Sequence, residues 1–235
     1  MTRKLAIVGM GKMGRAVAEL APARGWEVVA TLGKADTAGG ITTESLKGAH
    51  VAVEFSTPDS AADNASAIIC AGCPAVVGTT GWYAKLSDVG ELAKRSGGAL
   101  LTAANFSVGV NVFEQVVARA AELLSHAPGF EAQLVETHHS AKKDAPSGTA
   151  ATLAASASAG WGKPIPITSI RVGSVPGTHE FIFDAPFEQI HLEHIARDRR
   201  VFAEGALVAA AWLIGRRGVF TMRDVLSQSS TEHTV

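Results

Sequence analysis

The first hundred residues alternate apolar, strand-like runs with amphipathic, helix-like runs, and this alternation constrains the fold more than any other feature of the chain. "KLAIVG" reads as a buried strand, "KMGRAVAELAPARG" as a helix and "WEVVATL" as a second strand. The rhythm continues with strand "AHVAVEFS", helix "PDSAADNASAIICAG", strand "PAVVGTTG", helix "YAKLSDVGELAKRSG" and strand "ALLTAAN". Parallel strands need a crossover connection, which a helix supplies, so the order predicts a doubly wound parallel α/β sheet over residues 1–105.

Beyond that point the pattern changes. A long helix starts near Val108, "FEAQLVETHH" reads as a strand and "SGTAATLAASASA" as a helix. Three strands then follow with no helix between them, "ITSIRVG", "THEFIFDA" and "EQIHLEHIA". Consecutive strands mark a mixed or antiparallel sheet, so residues 106–216 are expected to form a second, α+β domain. The segment "FAEGALVAAAWLIGRRGVFTMRDVL" reads as helical with a short helical end, and a tail over about 217–235 could pack back on the first domain.

Composition narrows the class of partner. With a net charge of -1 over 235 residues there is no bulk electrostatic case for nucleic acid or an anionic membrane, so a small-molecule partner is expected. The longest apolar run, Ala206 to Ile214, falls far short of the roughly 20 residues that span a bilayer. Near the start, Gly9, Gly11 and Lys12 interrupt the apolar stretch before an export signal could form, so a soluble, cytoplasmic protein is expected. Cys70 and Cys73 form a lone C-x-x-C without a second pair, and they read as two small buried apolar residues.

The first chemical motif is Gly9-Met10-Gly11-Lys12-Met13-Gly14. It follows a buried strand and opens a helix, the setting in which backbone N–H groups and a helix N-terminus hold a pyrophosphate. A merely tight turn would not need three glycines at this spacing, so a Rossmann-type dinucleotide site is expected. Ligands of open parallel sheets sit beyond the carboxyl ends of the strands. Phe55-Ser56-Thr57, Gly78-Thr79-Thr80-Gly81 and Ala104-Asn105-Phe106 end three of those strands and offer hydroxyls, backbone and aromatic rings for the ribose and nicotinamide side.

The second motif is "VETHHSAKKDAPSGTA", Val135 to Ala150. His138 and His139 end a strand, Lys142 follows in the loop, and Ser147-Gly148-Thr149 open a helix whose first N–H groups carry partial positive charge. This combination suits a carboxylate, or two. Ser147 is also a plain N-cap candidate, and either histidine alone would more often be structural. A nucleotide motif in one domain and a cationic acid–base loop in the other together suggest hydride transfer to a small carboxylated substrate, with His138 or Lys142 supplying the proton.

The stretch "ETHHSAKKDAPSGTA" also closely resembles the signature of the 4-hydroxy-tetrahydrodipicolinate (dihydrodipicolinate) reductase family. The likeness runs through "GMGKMG", "VEFSTP", "VVGTTGW", "ANFSVGVNV", "IRVGSVPGTHEFIF" and "RRVFAEGALVAAAWL". The resemblance implies reduction of 4-hydroxy-tetrahydrodipicolinate to tetrahydrodipicolinate with loss of water, in lysine and diaminopimelate synthesis, using NADPH or NADH. It also implies a homotetramer assembled through the second-domain sheets. On the same footing His138 matches the family's acid/base, Lys142 a second proton donor, and His139, Ser147, Gly148 and Thr149 the carboxylate contacts, with Arg199 a basic residue nearby. Gly78, Thr79, Thr80 and Ala103 to Phe106 match the nicotinamide-side contacts.

Two departures stand out. The glycine loop is one residue shorter than the family's common G-x-x-G-x-x-G, and the second strand ends Thr31-Leu32-Gly33-Lys34 where many members carry an acidic then a basic residue. Gly33 can neither bond a ribose 2′-hydroxyl nor repel a 2′-phosphate, while Lys34 offers an ammonium, so NADPH is expected to be preferred with NADH usable. Asp36 could replace the missing acid if its loop folds inward. No metal site is expected: His179, His191 and His194 lie in strands, and alternation sets His191 and His194 on opposite faces. A semialdehyde dehydrogenase would need a nucleophilic cysteine in the second domain, where there is none. A dinucleotide-sensing regulator would leave His138 and Lys142 without a role.

Overall fold

The structure is a computed structural model describing residues 2–227. The chain divides into two compact units, one of Met1–Val108 with Arg200–Val235 and one of Gly109–Arg199.

In the first unit β1 (Arg3–Val8), β2 (Trp26–Leu32), β3 (Val51–Glu54), β4 (Ala75–Val77) and β5 (Ala99–Thr102) alternate with α1 (Lys12–Leu20), the single turn α2 (Lys34–Thr37), α3 (Pro58–Cys70) and α4 (Leu86–Arg95). All strand pairs are parallel. A sixth strand, Gly218–Phe220, completes the order β10-β5-β4-β3-β1-β2. The expected doubly wound sheet is therefore present. β1 and β3 are neighbours with β2 on the far side of β1, so the chain reverses its winding between β1 and β3, where ligands of such sheets bind.

Strand alternation explains the two cores. Leu5, Ile7, Val51 and Val53 face one side with Val17 and Ala21 of α1, whereas Ala6, Val8, Ala52 and Val77 face the other with Ala61, Ala65 and Ile68 of α3. Both faces are covered, which is why these strands read as unbroken apolar runs.

The sequence placed the helix after residue 200 in the second domain, and the structure corrects this. The helix α7 (Arg200–Leu213) belongs to the first unit, where Ala203, Ala206, Leu207, Ala210 and Leu213 join the core beneath β1 and β3. Its small residues permit a close approach: a Cβ on Gly205 would overlap the carbonyl of Phe106. A second correction concerns the tail, where Gly218–Phe220 is a strand beside β5 and only Met222–Ser227 is helical. Residues 228–235 of the expected tail lie outside the described residues. The cysteine reading holds for Cys73, which is buried with its thiol pushed up to about 12 by desolvation, but Cys70 is exposed at the end of α3.

In the second unit β6 (Glu131–His138), β7 (Ile167–Arg171), β8 (Thr178–Ala185) and β9 (Glu188–Ile195) form a mixed sheet in the order β7-β6-β8-β9. β6 and β7 run parallel, joined through α6 (Gly148–Trp161), while β8 is antiparallel to both β6 and β9. α5 (Val108–Leu124) and α6 cover one face, packing Phe113, Val117, Leu153 and Ala157 on Leu134, Phe181 and Phe183. On that same face the register sets Arg171 opposite His138, His179 opposite Glu136 and His194 opposite His179. Among the described residues no helix is long and apolar enough to cross a membrane.

Candidate active site

The glycine loop of the first unit lies at the switch point. Gly9 takes φ 90° and donates its N–H to Leu32 O at 2.8 Å, and a Cβ there would overlap the carbonyl of Phe55 at the end of β3. Gly14 packs so tightly under the loop that a Cβ would overlap the Gly9 carbonyl. Gly11, by contrast, faces open space and caps α1 without a side chain, so the first N–H groups of the helix have no capping partner. Such a cradle fits the pyrophosphate of a dinucleotide. Lys12 is exposed at its rim, while Met10 and Met13 pack partly into the core.

Three strand ends border the same edge. Phe55 and Phe106 meet edge to face with ring centroids 6.0 Å apart, and a Cβ on Gly78 would overlap the Phe55 ring. Thr79 is buried and accepts the Ser56 N–H at 2.8 Å, so its hydroxyl ties two loops together, whereas Thr80 is exposed. Ala103 is half-buried and Ala104 exposed, and the Asn105 side chain accepts the Ser107 N–H at 2.8 Å, fixing the turn that leads to Val108. Beneath these loops Glu54 is fully buried, hydrogen-bonded with Ser56 and with Asn64, and desolvation raises its pKa. At the end of β2, Asp36 turns inward and accepts the Gly33 N–H at 2.7 Å, while Lys34 is exposed.

In the second unit the acid–base groups gather at one end of the helix-covered sheet face. His138 closes β6 and its Nδ1 is hydrogen-bonded to Glu136, two residues earlier on the same face. Glu136 is wholly buried, receives the Arg171 guanidinium at 2.7 Å and faces the Ser147 N–H at 3.4 Å. Burial is the largest influence on this carboxyl and opposes ionisation. Hydrogen bonds from Arg171, Ser169 and His138 outweigh it and hold the pKa at about 2. For His138 burial dominates and lowers the pKa, with Glu136 pulling the other way.

His179 lies edge-on to His138, centroids 5.4 Å apart, with Nε2 3.5 Å from Ser147 Oγ. Desolvation and the neighbouring His138 push it down to about 4, so it is neutral at physiological pH. Ser147 caps α6, its hydroxyl accepting the Ala150 N–H at 3.1 Å, while Gly148 is exposed in the first turn and Thr149 half-buried behind it. Lys142 pairs with Asp144 at 2.8 Å, and Arg171 reaches the Asp144 carbonyl at 2.6 Å, so one guanidinium anchors both the buried carboxylate and the loop. His139 is half-buried in that loop, its carbonyl accepting the Lys142 N–H at 3.0 Å, and Arg199 lies in the exposed turn before Arg200.

Sequence reading thus found His138, Lys142 and the start of α6, weighed His179 only as a metal ligand, and passed over Glu136 and Arg171. Glu136 had a local signal, since alternation sets residues 136 and 138 on one face. Donor atoms of Glu136, His138 and His179 lie within 4.8 Å of one another, but Arg171 and His138 already engage the carboxylate, which leaves poor provision for a cation. His191 pairs with Glu180 at 2.6 Å on the opposite face from His194.

Comparison with known proteins agrees with both halves of this description. A family model described as dihydrodipicolinate reductase, N-terminus, matches residues 3–106, and its C-terminal counterpart matches residues 109–226. The chain is 35% identical over 237 residues to the 4-hydroxy-tetrahydrodipicolinate reductase of Christiangramia forsetii, covering 95% of this chain and 97% of that protein. It is 39% identical over 201 residues to the protein of that name from Rubrobacter xylanophilus, covering 77% of this chain and 75% of the relative. Among solved structures, a dipicolinate-bound dihydrodipicolinate reductase from Paenisporosarcina sp. TG-14 shares the fold at a TM-score of 0.82 and 21% identity, over 96% of this chain and all of that one. With its two domains matched in order along nearly the whole sequence, the chain belongs to the dihydrodipicolinate reductase family.

Proposed function

We propose that the protein reduces 4-hydroxy-tetrahydrodipicolinate to tetrahydrodipicolinate for lysine and diaminopimelate synthesis. One hydride and one proton are added and one water leaves. The observation that carries the reading is the imidazole of His138 set among a buried carboxylate, a guanidinium and the N-terminus of α6, beside a loop that carries Lys142. A reduced nicotinamide, when bound, would supply the hydride. Gly9, Gly11 and Gly14 would hold its diphosphate, with Lys12 at the rim and Met10 and Met13 packed partly into the core, and Phe55, Gly78, Thr79, Thr80 and Ala103 to Phe106 would border the nicotinamide side.

His138 delivers the proton from Nε2, with Lys142 as the second donor. Ser147, Gly148 and Thr149 offer N–H groups and hydroxyls to a substrate carboxylate at a helix end that favours anions, and His139 and Arg199 add further polar contacts. NADPH is preferred over NADH, a reading supported by the exposed ammonium of Lys34. The working form is a cytoplasmic homotetramer built through the second-unit sheet. Ile170 and Ile195 lie exposed on the face of that sheet away from its helices, which supports this assembly.

The direct test follows reduced-nicotinamide absorbance with freshly generated substrate. Wild type should turn over, and His138→Gln and Lys142→Ala should each lose about 100-fold or more while binding NADPH normally by calorimetry. Equal loss of NADPH affinity would point to a folding defect and overturn the assignment of roles.

A further inference from the structure

We infer that Glu136, held as an anion by Arg171, is the positioning residue that fixes His138 in its Nδ1–H form and keeps the transferable proton on Nε2. The inference rests on the reading of His138 as the proton donor and names what sets that donor up.

Geometry carries the argument. Glu136 and His138 occupy the same face of β6 two residues apart, and the carboxylate takes the hydrogen bond of Nδ1. An imidazole that donates at Nδ1 presents its other nitrogen as the reactive atom. That nitrogen, Nε2, lies against Gly177, where a Cβ would stand 3.0 Å away, so any side chain at that position would crowd it. The other oxygen of Glu136 is occupied by Arg171, itself on β7 opposite His138. A fully buried carboxylate would otherwise tend to take up a proton; with a guanidinium at 2.7 Å it stays charged while the imidazole beside it titrates.

The ionisable groups facing His138 are Glu136 on its own strand, Arg171 on β7, His179 on β8, and Lys142 with Asp144 in the following loop; His194 on β9 stands one step further, opposite His179. Only Glu136 among those in direct contact with the ring favours the imidazolium. Lys142 and Arg171 disfavour it, and burial disfavours it most. In the proton step the N–H bond at Nε2 breaks, its electron pair stays on the ring, and the proton bonds to the substrate atom that completes the reduction. The ring is left neutral with Nδ1–H still donated to Glu136, and solvent restores the Nε2 proton afterwards.

Two measurements test this. In wild-type protein with 15N-labelled histidine, the neutral His138 ring, assigned by its absence in His138→Gln, should show a protonated Nδ1 and an unprotonated Nε2; the opposite tautomer overturns the inference and requires no variant of Glu136 to fold. In the pH profile of kcat, Glu136→Gln keeps a hydrogen-bonding group but removes the charge, so the alkaline limb should move down by about one pH unit or more. The activity deficit should then reach about tenfold at the alkaline side and shrink toward acid, where both rings are protonated. A deficit of equal size at every pH, or a limb that stays in place because it belongs to Lys142, overturns it. The two readings fail separately: full turnover in His138→Gln removes His138 as donor whatever its tautomer, whereas a dead His138→Gln with an unshifted Glu136→Gln removes only the role of Glu136.

Discussion

Gly177 lies against Nε2 of His138: a Cβ at that glycine would approach the nitrogen to 3.0 Å, and the residue adopts φ 155°, which L side chains rarely take. Gly177→Ala should therefore crowd the one ring atom that the Glu136 hydrogen bond leaves free and strain the entry to β8. Turnover is expected to fall at least tenfold with NADPH affinity unchanged, read by steady-state kinetics beside calorimetry. Unchanged kcat would mean that Nε2 is not the working atom.

Gly205 makes the corresponding contact in the first unit, where its Cα faces the Phe106 carbonyl. Gly205→Ala should push α7 off the loop that follows β5 and cost about 1–3 kcal/mol, as overpacking of a tight contact does. Denaturant unfolding measures the loss. A variant as stable as wild type would show that α7 tolerates displacement.

The same helix shows where sequence reading reaches its limit. The alternation of β1 through β5 is legible because short, mainly apolar strands alternate with helical segments. Nothing local in the alanine-rich α7 says which sheet it will cover, because its core-facing residues are small on most sides and the decision lies in contacts with α1 and β3, far off in the chain. β10 escaped because three residues are too short for periodicity to register. In the candidate site, His138, Lys142 and Ser147 stand out as a cluster within one stretch. Arg171, His179 and Gly177 reach that cluster only through the register of β7 and β8 on β6, which a single sequence does not encode in any local pattern.

Acid stability should show two stages with distinct origins. His179 is held neutral, its pKa pushed from 6.5 to about 4 by desolvation first and by His138 next. Between those values the unfolded chain binds the extra proton, so stability is fully present above pH 6.5 and falls as pH drops toward 4, by up to about 3 kcal/mol. Glu136, lowered from 4.5 to about 2, contributes stability that is present above pH 4.5 and lost as pH falls toward 2. His179→Gln should flatten the first stage in equilibrium unfolding between pH 7 and pH 4 and leave the second. A slope unchanged by that variant would assign the first stage elsewhere.

A planar dicarboxylate such as pyridine-2,6-dicarboxylate should bind the second unit at the start of α6. Its two anions match the partial positive charge of that helix end and the ammonium of Lys142, which must be drawn from Asp144 to reach them. Lys142→Ala combined with Thr149→Val is expected to weaken inhibition at least tenfold. Inhibition that survives both changes would locate the anion pocket elsewhere.

Cofactor choice turns on three residues at the end of β2. Gly33 has no side chain for either a 2′-hydroxyl or a 2′-phosphate, and its N–H is taken by Asp36 at 2.7 Å. That hydrogen bond sets the carboxylate beside Gly33, in the place of the missing acid, where its charge works against a 2′-phosphate. Beside it Lys34 is exposed, and a charge-assisted hydrogen bond to phosphate is worth roughly 1.5–3 kcal/mol, or about ten- to a hundredfold in affinity. The ammonium should win, because the acid is already engaged by the Gly33 N–H while Lys34 is exposed. Lys34→Ala should lower the ratio of kcat/KM for NADPH over NADH by about tenfold or more, Gly33→Asp should invert it, and Asp36→Asn should raise it. Wild type favouring NADH, or a ratio that Lys34→Ala leaves unchanged, would mean that the end of β2 does not read the 2′ position.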